Sequence, residues 1–203
     1  EKFAEKVGYS CLKEGHTSGS RADMFKFRIH APRYTCDQIM RHSVGTAINC
    51  QSQRYVDMDD NFSIYIPPKA MENETLQTYY KYYENSCKNH YKLVRRELRN
   101  EGIEGEKAND IMRTMLPIGV ACNLTMGFTV EALINFMHKR LCVRADEPIR
   151  KVAQLMRKAV IEVEPRYADL LIPQCVDKMY CPEKHSCGAY PSKEEVHKKI
   201  FGK

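Results

Sequence analysis

The readable pattern begins with a strict alternation. From Ala22 to Ala31, Phe25, Phe27 and Ile29 fall on one face and Lys26, Arg28 and His30 on the other, the period of a half-buried strand. Pro32 closes that strand and then suits the first turn of a short helix through Met40, where a missing amide costs nothing and a fixed φ eases entry. The helix delivers Arg41 and His42 at its C-terminal end. From Ser43 to Asp60 the chain is polar, with Gly45, Asn49 and few periodic apolar positions, which predicts a long loop of the kind that often carries function. Asn61 to Pro67, with Phe62, Ile64 and Ile66 in phase, reads as a second short strand stopped by Pro67 and Pro68.

The period then lengthens. Met71 to Asn100 sets Leu76, Tyr79, Tyr80, Tyr83, Tyr91, Val94 and Leu98 at helical spacing and halts at Gly102, predicting a long amphipathic helix. Its tyrosines are expected to pack, in the core or between subunits, rather than form a ligand platform. A shorter helix is predicted over Glu106 to Met115, because the residue ahead of Pro117 is pushed out of the helical region. Ile118 to Phe128 fits either a strand or a buried turn. Val130 to Cys142 turns Leu133, Ile134, Met137 and Leu141 inward, and Asp146 to Val163 does the same with Ile149, Val152, Met156 and Val160. With no internal repeat, helices and a few strands predict an α+β fold, one domain over 1–203 with a cysteine-rich tail at about 173–203.

Composition narrows the class. Hydrophobic residues at 43% and charged residues at 29% give a soluble globular balance, and no apolar run approaches the ~18–20 residues of a membrane helix, so no membrane partner is expected. The opening residues carry no secretory pattern, and a start at Glu1 leaves room for an upstream segment. The formal charge of +6 attracts anions, but bases and acids interleave, which favours a small phosphorylated ligand over nucleic acid. Nine cysteines, an odd and scattered set, fit free thiols in a reducing cytoplasm. Cys175, Cys181, His185 and Cys187 are zinc-ligand types, yet the C-x5-C-x3-H-x-C spacing is irregular. A packed tail or a redox-labile thiol pair is expected there rather than a metal.

The chemistry concentrates in Arg41 to Tyr55, where arginines, a histidine, hydroxyls, amides and a glycine fall within one loop. Arginine forks match phosphate or pyrimidine carbonyl oxygens, and Ser52 with nearby amides and Arg54 suits a phosphate; a merely solvated charged loop is the competing reading. His42 either works on a ligand or neutralises the carbonyls of its helix end. Cys50 is read as a small buried residue, with an arginine-activated nucleophile as the alternative.

The spacing then decides. Arg41-His42-Ser43, eight residues, Ser52, then Arg54-Tyr55 resembles the signature of flavin-dependent thymidylate synthases, Arg-His-Arg followed by seven or eight residues and Ser. The resemblance extends through Glu14-Gly15-His16, His30-Ala31-Pro32 and Gln38. It resumes at Ala108 to Pro117 around Arg113, and at Leu133 to Ile149 around Asn135, Phe136 and Arg140, covering most of Gly15 to Val163. It implies a mixed sheet with long packed helices, and a homotetramer with shared active sites around FAD. The implied reaction moves the methylene of methylenetetrahydrofolate to C5 of dUMP, with hydride from FAD that NADPH has reduced and no cysteine nucleophile. Carried over by position, dUMP would be held by Gln38, Arg41, Gln51, Ser52, Gln53, Arg54, Arg113 and Arg140. FAD would be held by Ser18, Arg41, His42, Ser43, Asn49, Asn135 and Arg144. Arg140 and Arg41 are the catalytic candidates, as stabilisers of charge developing on the uracil carbonyls.

The chain departs from the family pattern on its flavin-facing side. Ser43 stands where arginine is usual, Asn49 and Cys50 where an acid is often found, and Ser18 where threonine is common. Arg21 and Glu131 reverse a common acid and arginine, which would preserve an ion pair. The same scaffold would also suit an enzyme making another 5-substituted pyrimidine, such as a dUMP hydroxymethylase, or a non-catalytic nucleotide-binding homologue.

Overall fold

The computed structural model describes residues 2–16, 19, 23–58 and 62–202, and of residues 2–5 the backbone alone. In chain order the elements are α1 (Lys2–Lys13), β1 (Met24–Pro32), α2 (Arg33–Met40), β2 (Thr46–Cys50), α3 (Pro68–Met71) and α4 (Glu74–Asn100). There follow α5 (Gly105–Met112), β3 (Ala121–Thr129), α6 (Val130–Arg140), α7 (Glu147–Val163), α8 (Gln174–Lys178) and α9 (Lys193–Phe201). The strands are ordered β1-β3-β2. The fold is α+β, as the spacing of apolar positions predicts.

Two compact units divide the chain. One comprises Glu1–Phe27, Gln38–Ile48 and Thr125–Lys203, the other Arg28–Asp37 and Asn49–Leu124. In the first, the Thr129 amide donates to the Gly45 carbonyl at 2.9 Å and the Val130 amide to that of Asp23 at 3.2 Å. Thr129 then caps α6, its hydroxyl accepting from the Ala132 amide. The core is the inward face of α6 (Leu133, Phe136, Met137) against Phe128 of β3 and Ile149, Ala153, Met156 and Val160 of α7. Phe136 meets Phe128 with ring centroids 5.3 Å apart. Burying each such side chain stabilises by roughly 1.5–3 kcal/mol, so this cluster fixes where Arg140, at the end of α6, emerges.

In the second unit, Phe62, Ile64, Tyr91, Met112 and Val120 form the core. The long helix α4 is present as predicted but buries only Tyr91, while Tyr79, Tyr82, Tyr83 and Leu93 are exposed on the single chain. Its N-cap Asn73 accepts from the Leu76 amide, and Glu84 accepts from both Lys88 and the Ile64 amide, tying the helix to the segment below it.

Two expectations are corrected. The loop predicted over Ser43 to Asp60 contains strand β2 at Thr46–Cys50. Its side chains are exposed or half-buried throughout, so no alternation marks it; backbone pairing alone makes the strand. Conversely, Phe62 and Ile64 are buried as predicted, but the segment to Pro67 holds a single bridge, Ile64 to Val120, and no strand. The ambiguous run Ile118 to Phe128 resolves as β3, the middle strand, in which buried Cys122, Leu124, Met126 and Phe128 alternate with Ala121, Asn123 and Thr125 on the less buried face. The helix expected to Met115 is α5 to Met112 followed by one tighter turn.

All nine cysteines are free thiols. Among the described residues no group of three or more His, Cys, Asp or Glu side chains is arranged to hold a metal, and no helix is long and apolar enough to cross a membrane.

Candidate functional site

In the first unit the end of α2 and the turn after it form one wall of a cleft of about 580 Å³, with Arg41, His42, Ser43, Val44 and Gly45; Thr129, Glu131, Ala132 and Asn135 at the start of α6 form the other. The turn can approach α6 because Gly45 has no side chain. Its φ is +70°, and a Cβ there would lie 2.8 Å from Thr129 Oγ1 and 3.1 Å from Ala132 Cβ. Thr46 Oγ1 donates to the His42 carbonyl at 2.9 Å, closing the turn from the other end.

His42 and Arg140 meet, although 98 residues separate them: Arg140 Nε donates to His42 Nε2 at 2.9 Å. The imidazole packs in a T-shape with Phe136, centroids 5.0 Å apart. Burial, then the Arg140 charge, holds the imidazole below its ordinary value of 6.5, so at neutral pH it is an uncharged acceptor. Arg140 is held below its own ordinary value by burial first and by the Arg41 charge second. Neither guanidinium forms an ion pair with a carboxylate of the described residues. Two neighbouring cations, one partly desolvated, thus have no counter-ion among the described residues. Gln38, one helical turn before Arg41, has a buried side-chain oxygen without a hydrogen-bond partner among the described residues.

In the second unit the segment Gln51 to Arg54 is braced differently. The Gln51 amide donates to the Asn123 carbonyl at 2.8 Å, and Gln51 Oε1 accepts from Asn123 Nδ2 at 2.6 Å. Ser52 Oγ accepts from the Arg54 amide at 3.2 Å and the Tyr55 amide at 3.4 Å, so the hydroxyl shapes its own turn. Arg54 pairs with Asp110 at 3.3 Å and Glu106 at 3.5 Å, and Arg113 reaches the same Asp110 at 3.2 Å. The Arg113 contact lies within ion-pair distance but leaves Asp110 Oδ1 without a geometric hydrogen bond, so it is coulombic. Asn109 donates to the Arg54 carbonyl at 2.9 Å, anchoring the turn to α5.

Cys50 lies beside this segment with its Sγ 3.4 Å from that of Cys122 and 3.6 Å from Arg33 Nη1. Burial outweighs the arginine and pushes the thiol up to about 11, so at neutral pH it is protonated and a poor nucleophile. Cys36, behind it, is pushed up to about 12 for the same reason.

The expected residues therefore sort into groups. Gln38, Arg41, His42, Ser43, Asn135 and Arg140 belong to the first unit, around the cleft and the His42–Arg140 contact. Asn49, Gln51, Ser52, Gln53, Arg54 and Arg113 belong to the second. Arg144 lines a different, mainly apolar cavity of about 210 Å³, with Cys142, Cys175, Cys181 and Cys187. Ser18 and Arg21 lie outside the described residues. Sequence reasoning missed Asp110, Glu106 and Asn123. Only Asp110 left a signal, an acid three positions before Arg113 on one helix face.

The family described as thymidylate synthase complementing protein matches residues 1–166. The flavin-dependent thymidylate synthase of Nitratidesulfovibrio vulgaris is 30% identical over 190 residues, 92% of this chain and 77% of that one. That of Clostridium tetani is 31% identical over 198 residues, 92% and 78% of the two chains. A solved UMP/dUMP methylase from Streptomyces cacaoi, bound with 5-Br dUMP, shares the fold with a TM-score of 0.66 at 19% identity, over 81% of this chain and 77% of that one. On the extent of the family match, this chain belongs to the thymidylate synthase complementing protein family, that of the flavin-dependent thymidylate synthases.

Proposed function

We propose that this protein is a working flavin-dependent thymidylate synthase, converting dUMP to dTMP with methylenetetrahydrofolate as the carbon donor. The observation that carries the reading is the Arg41–Arg140 pair, two guanidiniums of which one is half-buried and neither has a carboxylate among the described residues. A buried cation without a counter-ion is costly, and such sites persist where a ligand provides the charge. A uridylate does so. C5 of the uracil is nucleophilic when the ring is electron-rich and its carbonyl oxygens carry negative charge, and donors already aimed at those oxygens would stabilise that form without reorganising. Arg140 takes that role and Arg41 assists. Gln38 presents its carbonyl oxygen to an N–H such as that of the uracil imide, and Gln51, Ser52, Gln53, Arg54 and Arg113 serve the sugar and phosphate.

The cleft fits a flavin edge: the Ser43 hydroxyl, the Asn135 amide and the Arg41 guanidinium can meet ring carbonyls and nitrogens, and the start of α6 favours negative charge. Held there, FAD reduced by NADPH would supply the hydride that completes the methyl group. His42 closes the inner side of the cleft against Phe136 and excludes water there. The exposed tyrosines of α4 fit self-association, in which a tetramer shares its sites.

The test is direct. Purified protein supplemented with FAD, dUMP, methylenetetrahydrofolate and NADPH yields dTMP by product mass. A hydroxymethylated product would shift the reading to the related activity, and absence of both flavin absorbance and product would reduce the protein to a nucleotide-binding homologue.

A further inference from the structure

We propose that His42 is a positioning residue: as a neutral hydrogen-bond acceptor it holds the Arg140 guanidinium by its Nε, so that the two Nη groups face the ligand as a fixed fork. The inference rests on the uridylate reading of the same site. Arginine has N–H donors on all three nitrogens, and an arginine that must recognise a planar acceptor is useful only if its plane is fixed. Here one edge is spent on His42 at 2.9 Å, and no other partner of Arg140 is present among the described residues.

The imidazole is itself held. It packs in a T-shape with Phe136, which is fully buried and packed in turn on Phe128. Phe136 stands four residues before Arg140 on α6, hence on the same helix face one turn earlier. The backbone of His42 is pinned by the Thr46 hydroxyl on its carbonyl, and the turn is held in place by the Thr129 amide donating to the Gly45 carbonyl at 2.9 Å. Only one tautomer serves: Nε2 accepts, so the proton sits on Nδ1.

The charged groups around the ring are Arg41 on its own turn, Arg140 in direct contact, and Glu131 along the same cleft at the far end of α6. Protonating His42 would turn Nε2 into a donor facing a donor and add a third positive charge, which frees the fork. Uridylate binding therefore weakens as pH falls below 6.5, through a value that burial has already pulled down. The ligand phosphate also titrates near about 6 and weakens binding in the same direction, so a non-titrating variant is required to separate the two.

Three forms of the FAD-loaded protein carry the test, with dUMP binding measured by calorimetry from pH 8 to pH 5.5. His42→Phe keeps a ring on Phe136 and removes the acceptor; affinity falls about tenfold at pH 8. His42→Gln restores an oxygen near the Nε2 position; affinity returns to within about threefold, and the acid decline keeps only the phosphate component. Nitrogen-15 spectra of the wild type show the proton on Nδ1. Wild-type affinity in His42→Phe, equal losses in Phe and Gln, or a proton on Nε2 would each overturn the proposal. Wild-type protein that neither binds dUMP nor makes dTMP would instead overturn the functional reading, while the nitrogen-15 spectrum still decides the role of His42.

Discussion

Arg54 and Arg113 share the Asp110 carboxylate, and Arg54 reaches Glu106 as well, whereas Arg41 and Arg140 pair with no carboxylate among the described residues. The first pair is satisfied by Asp110, in a segment trimmed with local hydrogen bonds from Ser52 and Asn109. Exposed ion pairs of that kind stabilise by about 0–1 kcal/mol, so a phosphate can compete for those guanidiniums at little cost. The second pair spends its stability differently: one guanidinium is partly desolvated beside another, and a neutral histidine is its only partner among the described residues. Identical side chains thus do different work according to whether the chain itself supplies the anion. On the proposed reading, a tethered pair would act as a yielding clamp, and an untethered one as a preset receptor for ligand charge.

The comparison breaks first at Arg140. Arg140→Lys keeps the charge and discards the fork, and dTMP formation falls on the order of a hundredfold while the urea midpoint stays put. A variant retaining full turnover would leave the untethered pair without a catalytic role. Next comes the turn that brings His42 to α6: Gly45→Ala forces a methyl onto Thr129 Oγ1 at a positive φ, destabilising by about 1–3 kcal/mol. At roughly 2–4 °C per kcal/mol for a chain of this size, calorimetry reads the loss as a lower Tm. Asp110→Asn releases Arg113 and leaves Arg54 with Glu106 alone; affinity for inorganic phosphate rises severalfold at low salt, with at most about 1 kcal/mol lost in stability. Unchanged phosphate binding would show that the tethered pair is not a clamp.

The smallest effect is acid sensitivity. The folded state holds the His42 proton less tightly than the unfolded chain, whose value is 6.5, so acidification below 6.5 favours unfolding until the depressed folded value is passed. His138, depressed chiefly by burial, acts in the same direction, so the His42 share is the difference between wild type and His42→Gln in Tm at pH 7.5 and pH 5.5. Glu84 falls outside this window. Its depressed carboxylate contributes stability above 4.5 that is lost only as pH drops through its lower folded value.

What the sequence could reveal follows the same division. Helices α6 and α7 were legible because each buries one stripe and exposes the rest, leaving a period, and α4 was legible by its apolar spacing although it buries Tyr91 alone. Strand β2 was not, since its residues are exposed or half-buried on both sides and only backbone bonds define it. The arginines of the site were legible by spacing. Their partners were not: Asp110, Asn123 and the acceptor nitrogen of His42 become informative only when the fold sets them within about 3 Å of something, and no periodicity encodes that.

The thiol cluster of Cys36, Cys50 and Cys122 has a practical consequence at the bench. With Cys50 near 11 and Cys36 near 12, both stay protonated and sheltered at neutral pH, whereas Cys187 is exposed to solvent. A maleimide dye added briefly at pH 7 should therefore tag the C-terminal segment before it touches Cys50 or Cys36, giving a fluorescent handle that leaves both arginine pairs as they were.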